Sequence, residues 1–239
     1  MNLITKFGTN AIFDSKKQEI KKQVLEQIAK DASTLMLRKN LIIVSSGAVG
    51  YGKSILKGKD NIGLKQAQAA VGQPMLMQEY QKAFNKYGLN VAQFLLTSED
   101  LNNPKRLENI KHTYRKLKEN KIIPIVNEND TTTIAELKFG DNDHLTTQLA
   151  IALNFDEIIN FTEKGILLKN NAPVYASKNF NSEFYDKIPQ NGTGFGGLKS
   201  KLVSAKKANK NKITYTIAKA GDSIYKILNA EVDSTRFSI

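Results

Sequence analysis

A three-layer αβα sandwich, with helices on both faces of a mainly parallel central sheet, is the fold this sequence predicts. Three observations carry it. Short apolar runs alternate with longer amphipathic stretches along the whole chain, the pattern of repeated strand–helix units. Runs such as Leu41-Ile42-Ile43-Val44 are apolar throughout rather than alternating, as buried parallel strands are. The 239 residues suit one large domain over 1–239 with a substantial core, and neither an internal repeat nor a linker interrupts them.

The elements follow in order. Leu3 to Phe7 reads as a first strand. From Lys16 to Met36, apolar residues at Ile20, Val24, Ile28 and Leu35 predict an amphipathic helix capped by Asp14 or Ser15. Leu41 to Val44 is a strand, and Leu64 to Lys86 a helix interrupted by Gly72 and Pro74. Val91 to Leu96 is a third strand and Lys105 to Glu119 a helix. In Ile122 to Val126, Pro124 points to a strand start or an edge, because proline cannot donate to a ladder. Asn142 to Leu153 carries Leu145, Leu149 and Leu153 at helical spacing, and Glu157 to Phe161 is a further strand. A helix opens at Gly194 to Gly197 and runs to Ala208, followed by a strand at Ile213 to Ile217 and a short helix at Asp222 to Leu228.

Composition narrows the function classes. The chain has no cysteine, which excludes disulfides, thiolate metal sites and cysteine nucleophiles. No window approaches the roughly 18 consecutive apolar residues of a membrane span, and the first residues lack the layout of a signal peptide. A cytoplasmic location is the expectation. The net charge of +12 raises the local concentration of polyanions, ATP among them. Its lysines are scattered, with a denser set from Lys199 to Lys212, and no RNA-binding aromatic motif or zinc-finger spacing accompanies them. No nucleic-acid and no membrane partner is expected.

Gly47-Ala48-Val49-Gly50-Tyr51-Gly52-Lys53-Ser54 matches the phosphate-loop pattern GxxxxGK[ST] after an apolar strand. Such a loop needs a long helix starting at the lysine, whose free N–H groups face the phosphates. Here Gly58-Lys59-Asp60-Asn61 would break a helix after little more than one turn.

In open parallel sheets ligands collect at the C-terminal strand ends. There the chain places Ser45-Ser46-Gly47, Thr97-Ser98-Glu99-Asp100, Asn127-Glu128-Asn129-Asp130 and Thr162-Glu163. Taken together these strand ends resemble the amino acid kinase family, and its glutamate 5-kinase branch in particular, through Thr5-Lys6-Phe7-Gly8-Thr9, Val44-Ser45-Ser46-Gly47-Ala48, Ala69-Ala70-Val71-Gly72-Gln73, Leu95-Leu96-Thr97, Pro124-Ile125-Val126-Asn127-Glu128-Asn129-Asp130, Gly140-Asp141-Asn142-Asp143 and Gly196-Gly197-Leu198-Lys199-Ser200-Lys201. The matching segments occur in the family's order across most of residues 3 to 209, and the paired NEND and GDND blocks are the specific part.

The resemblance implies the amino acid kinase fold and transfer of a phosphoryl group from ATP, with Mg2+, to the γ-carboxylate of L-glutamate. That reaction is the first step of proline biosynthesis. It implies catalytic roles for Lys6, Asp143 and Lys201, with Asp143 orienting both lysines and reaching magnesium through water. Ser46, Asp130 and Asn142 would hold glutamate. Lys6, Thr162, Glu163, Phe195, Gly196, Gly197, Leu198, Lys199, Ser200 and Lys201 would take the nucleotide. It implies a homo-oligomer, proline as feedback inhibitor and glutamyl phosphate reductase as a partner. The chemistry is consistent: an anionic acceptor must approach an anionic phosphate, so positioning and charge neutralisation dominate, and a carboxylate nucleophile needs no general base at neutral pH.

Taken singly, these residues have plainer readings. Lys6 would be a surface lysine at a strand end, Lys201 part of a solvated helix face with Lys199 and Lys206, and Asp141 and Asp143 first-turn acids favoured by the helix dipole. Asn127 and Asn129 would be turn formers, and His112 and His144 surface or packing residues. Two departures from the family stand out. Glu163 occupies the position of an aspartate, before a stretch to Pro173 that is short for the family. Many relatives also carry a C-terminal PUA domain, whereas this chain stops at Ile239, so a short form without it is expected. The alternatives are a kinase for acetylglutamate, aspartate or a nucleoside monophosphate, and a catalytically silent sensor of glutamate or proline.

Overall fold

A computed structural model describes residues 1–36, 39–132, 142–163, 168–169, 172–173 and 196–238. At its centre is a seven-stranded sheet. In chain order the elements are β1 (Asn2–Phe7), α1 (Thr9–Ile12), β2 (Phe13–Asp14), β3 (Glu19–Ile20), α2 (Lys22–Leu35), β4 (Asn40–Ser45) and α3 (Ala48–Lys53). They continue with α4 (Ile62–Asn85), β5 (Val91–Leu96), α5 (Ser98–Asn102), α6 (Pro104–Glu119), β6 (Ile123–Glu128), α7 (Asn142–Ala152) and β7 (Glu157–Thr162). The remainder are β8 (Leu168–Lys169), β9 (Ala172–Pro173), α8 (Gly196–Lys210), β10 (Thr214–Lys219), α9 (Ile224–Leu228) and β11 (Thr235–Phe237). The sheet runs β11-β10-β7-β1-β4-β6-β5, parallel except for the antiparallel β10–β11 pair.

Because side chains alternate along each strand, apolar runs feed two cores. Leu3, Phe7, Ile43, Ile125 and Phe161 pack with α2, α4 and α9 on one face, where Leu25, Ile28, Leu76, Tyr80 and Ile224 lie. Ile4, Val44, Val126, Ile158 and Tyr215 pack on the other face with Leu145 and Leu149 of α7 and Leu202 and Ala205 of α8. Two helical layers thus sandwich the sheet, as expected.

Several local expectations are corrected. The helix drawn from Lys16 starts only at Lys22. Phe13 and Ile20 are instead cross-strand partners in the β2–β3 hairpin, both buried. Asp14 accepts hydrogen bonds from the backbone N–H of Lys16 and Lys17, at 2.9 and 3.2 Å, and so caps the hairpin turn rather than a helix. Of the two positions Pro124 pointed to, the strand start agrees with the structure, where it is the second residue of β6, but the edge does not, since β6 pairs with both β4 and β5. Ile123 N–H donates to Asn90 on the β5 side, so residue 124 faces β4, where pairing begins only at Ile125. The missing N–H of Pro124 therefore breaks no ladder bond.

α4 runs unbroken through Gly72 and Pro74. Pro74 and Ala70, the residue whose carbonyl loses its helical partner, are both exposed, so water can satisfy that oxygen. Gly72 is required by packing: a Cβ there would lie 1.9 Å from the Ala48 carbonyl oxygen, and one at Gly52 would lie 1.9 Å from that of Gln68. The backbones of α3 and α4 touch through these glycines. Among the described residues no helix is long and apolar enough to cross a membrane.

Candidate active site

The C-terminal edge of the sheet gathers most of the expected residues. Lys6 lies near the end of β1, whose register sets it beside Val44 of β4 and Asn160 of β7. Asp143 occupies the first turn of α7. Lys201 lies one turn into α8, where its Nζ also reaches the Gly197 carbonyl at 3.1 Å. These three residues, far apart in sequence, meet. Lys6 Nζ is 2.5 Å from Asp143 Oδ1 and Lys201 Nζ is 3.0 Å from Oδ2. The Lys6, Asp143 and Lys201 side chains are only 7%, 5% and 15% exposed.

Burial alone would push the Asp143 carboxyl up. The ammonium groups of Lys6 and Lys201 outweigh that and hold it below the ordinary aspartate value. Two cations on one anion leave a single surplus positive charge in a sheltered place, a cluster suited to receive an anion. Lys6 is therefore no surface lysine, and Asp143 is more than a first-turn acid.

Beside the cluster lies a chain of side-chain amides. Asn142 Nδ2 donates to Ser46 Oγ at 2.8 Å and to Asn127 Oδ1 at 3.0 Å. Asn127 Nδ2 donates to Gln73 Oε1 at 2.9 Å, and Gln73 Nε2 to Gln93 Oε1 at 3.1 Å. The backbone N–H of Glu128 closes the group, donating to Asn127 Oδ1 and Asn142 Oδ1. Asn127 is thus a buried anchor, not a turn former. Ser46 Oγ accepts from Asn142, which leaves its hydroxyl hydrogen to donate to an incoming carboxylate, whereas its own backbone N–H is committed to the Phe7 carbonyl. Asp130, two residues beyond β6, is buried.

Other expected positions lie further along the same edge of the sheet. Thr162 ends β7 partly buried, and Glu163 after it is exposed, as is Lys199. Gly196 and Gly197 open α8, with Leu198, Lys199 and Ser200 in its first turns. Phe195, Asp141 and residues 133–140 lie outside the described residues. At Thr97 the polar strand end is structural, because Thr97 and Asp100 form a capping box and Asp100 pairs with Arg106 at 2.7 Å. His112 is exposed against Glu108. In the phosphate-loop look-alike, α3 ends at Lys53 instead of beginning there, and Lys53 is exposed.

The model of the amino acid kinase family matches residues 1–219. The chain belongs to the amino acid kinase family. A glutamate 5-kinase from Dictyoglomus turgidum is 36% identical over 227 residues, covering 91% of this chain and 61% of the relative. One from Clostridium acetobutylicum is 38% identical over 215 residues, covering 82% of this chain and 79% of the relative. The chain thus spans about three fifths of the length of the first of these curated relatives. Among solved structures, a UMP kinase from Ureaplasma parvum superposes with a TM-score of 0.64 at 13% identity, covering 100% of this chain and 98% of the other. At that identity the likeness shows the fold, which is the family's three-layer sandwich.

The site also contains residues that sequence reasoning missed. Asn160 and Tyr215 bond to each other beneath Asp143. The available signal was an amide inside the apolar run Glu157 to Phe161, at a position whose neighbours face the core.

Proposed function

We propose that this chain transfers the γ-phosphoryl group of ATP to the γ-carboxylate of L-glutamate, giving glutamyl 5-phosphate and ADP, the first step of proline biosynthesis. The observation that carries this reading is the sheltered Lys6–Asp143–Lys201 cluster set against the Ser46 hydroxyl and the Asn142 and Asn127 amides. The names and extensive matches of the curated relatives favour glutamate as the acceptor.

In this reading a carboxylate oxygen of glutamate attacks the γ-phosphorus. As the new P–O bond forms, the bond to the β,γ-bridging oxygen breaks and its electron pair leaves with ADP. Glutamate's side chain is already ionised at neutral pH, so no residue removes a proton. Lys6 and Lys201 neutralise the transferring group from two sides, and Asp143 fixes the spacing between them. Asp130 takes the α-ammonium, while Ser46 and Asn142 take the polar groups of the acceptor. Thr162, Glu163 and the start of α8 flank the nucleotide.

Magnesium fits this arrangement only indirectly. Both Asp143 oxygens already accept from lysines, and no group of three metal-binding side chains occurs among the described residues. Asp143 would reach a magnesium ion only through water, which suits an ion that keeps its hydration shell; when bound, the ion would supply charge neutralisation. A single domain over 1–239 is supported by β11, which extends the same sheet beyond residue 219. A cytoplasmic enzyme, working as a homo-oligomer with proline as inhibitor, completes the reading.

Trapping the acyl phosphate with hydroxylamine tests it. ATP- and glutamate-dependent hydroxamate is expected, with none from a folded Lys6→Ala control. Turnover of acetylglutamate, aspartate or UMP in place of glutamate would reassign the substrate, and glutamate binding without turnover would make the chain a sensor.

A further inference from the structure

On the α7–α8 face of the sheet, the inward positions of β1, β4, β7 and β10 carry Ile4, Val44, Ile158, Tyr215 and Ile217, all buried in one apolar cluster. Asn160 interrupts that row. It is 1% exposed, and its Oδ1 is buried with no hydrogen-bond partner among the described residues. An amide at such a position costs stability unless something is gained from it. What it contributes is its Nδ2, which donates to Asp143 Oδ1 at 2.8 Å and to Tyr215 Oη at 2.6 Å. The orientation of the amide is not ambiguous in chemical terms: an ionised carboxylate only accepts, so the atom facing Asp143 must be the nitrogen.

We propose that Asn160, braced by Tyr215, is a positioning residue that fixes the Asp143 carboxylate for phosphoryl transfer. This inference rests on the functional reading above. Asp143 accepts three donors: Lys6 and Asn160 on Oδ1, and Lys201 on Oδ2. The two lysines are long side chains whose ammonium groups must follow the phosphoryl group as it moves. They cannot also be the fixed reference. Asn160 can, because its backbone is held on both sides, by β1 opposite Lys6 and by β10 opposite Ile217, and its short side chain has little freedom to lose. It orients the carboxylate without adding charge, so the surplus positive charge of the cluster is preserved. Tyr215 Oη takes the second Nδ2 hydrogen and keeps the amide from rotating away.

The test uses Asn160→Leu and Tyr215→Phe in the full chain, with kcat, KM for glutamate and melting temperature measured on each. Leucine matches the surrounding row and removes the unpaired Oδ1, so the melting temperature should hold or rise. kcat should fall about 10- to 100-fold, the usual cost of a misplaced supporting group, with KM for glutamate unchanged. Tyr215→Phe should show the same split with a smaller fall. Wild-type kcat in Asn160→Leu, or a collapse of its melting temperature, overturns the inference, since either makes Asn160 a packing residue. An equal loss in KM and kcat also overturns it. A wild-type protein that does not turn over glutamate overturns the functional reading itself and this inference with it, which separates the two failures.

Discussion

Two segments of this chain spell nearly the same letters and sit at opposite ends of their helices. Gly50-Tyr51-Gly52-Lys53-Ser54 and Gly196-Gly197-Leu198-Lys199-Ser200-Lys201 each combine glycines, lysine and serine near a helix end. In the first the helix finishes at Lys53, the lysine is exposed, and Gly52 serves to let α3 touch α4. In the second the helix begins at Gly196, and Lys201 turns back to Asp143. A helix supplies outward N–H groups and positive potential only at its start. The lesson is that whether a glycine–lysine motif suits phosphate binding depends on which end of the helix it occupies and on the anion that orients its lysine.

Several variants can break or sharpen that contrast. Asp143→Ala has the largest expected effect: a buried and a partly buried ammonium group lose their shared counter-ion, and kcat should fall about 10³-fold or more in the hydroxamate assay. Asn142→Ala removes the amide linking Ser46 to Asn127. Steady-state kinetics should give a KM for glutamate higher by about 10-fold or more, on the scale of one lost polar contact to a charged group. On the α3 side the effect should be structural. Gly72→Ala forces a methyl against the Ala48 carbonyl and should cost about 1–3 kcal/mol, seen as a melting temperature lower by roughly 2–10 °C.

The smallest effect is on pH dependence. The carboxyl of Asp143 is held below its ordinary value in the folded chain, with the two lysines outweighing burial. Its stabilising contribution is complete above the unfolded pKa of about 3.9 and is lost as pH falls through the lower folded value. Denaturation of wild type and Asp143→Asn should therefore differ by a constant amount at neutral pH, the gap closing only below about pH 4.

The central strands were legible because each holds a mostly apolar run bounded by polar residues, Leu41 to Val44 being apolar throughout, and β1, β4, β5 and β7 fall where those runs lie. The β2–β3 hairpin was not, since Ile20 fits a helical stripe with Val24 and Ile28 as well as it fits a strand opposite Phe13. β11 escaped too: Thr235 to Phe237 is too short to show a period, and only pairing with β10 makes it a strand. Within the site, nothing local distinguishes Lys6 or Lys201 from the many other lysines of the chain. Their convergence on Asp143 is a tertiary fact, visible beforehand only through the resemblance. Asn160 was hidden for a related reason, because strand β7 reads as core and the value of an amide there depends on what lies across from it.

The most direct measurement is a paired one: the rate of glutamate- and ATP-dependent hydroxamate formation by Lys201→Ala and by Lys53→Ala, beside wild type. Lys201→Ala should lose activity by about 10³-fold, and Lys53→Ala should keep the wild-type rate. The reverse pattern, with Lys53→Ala inactive and Lys201→Ala active, would contradict this reading and move the phosphate site to the end of α3.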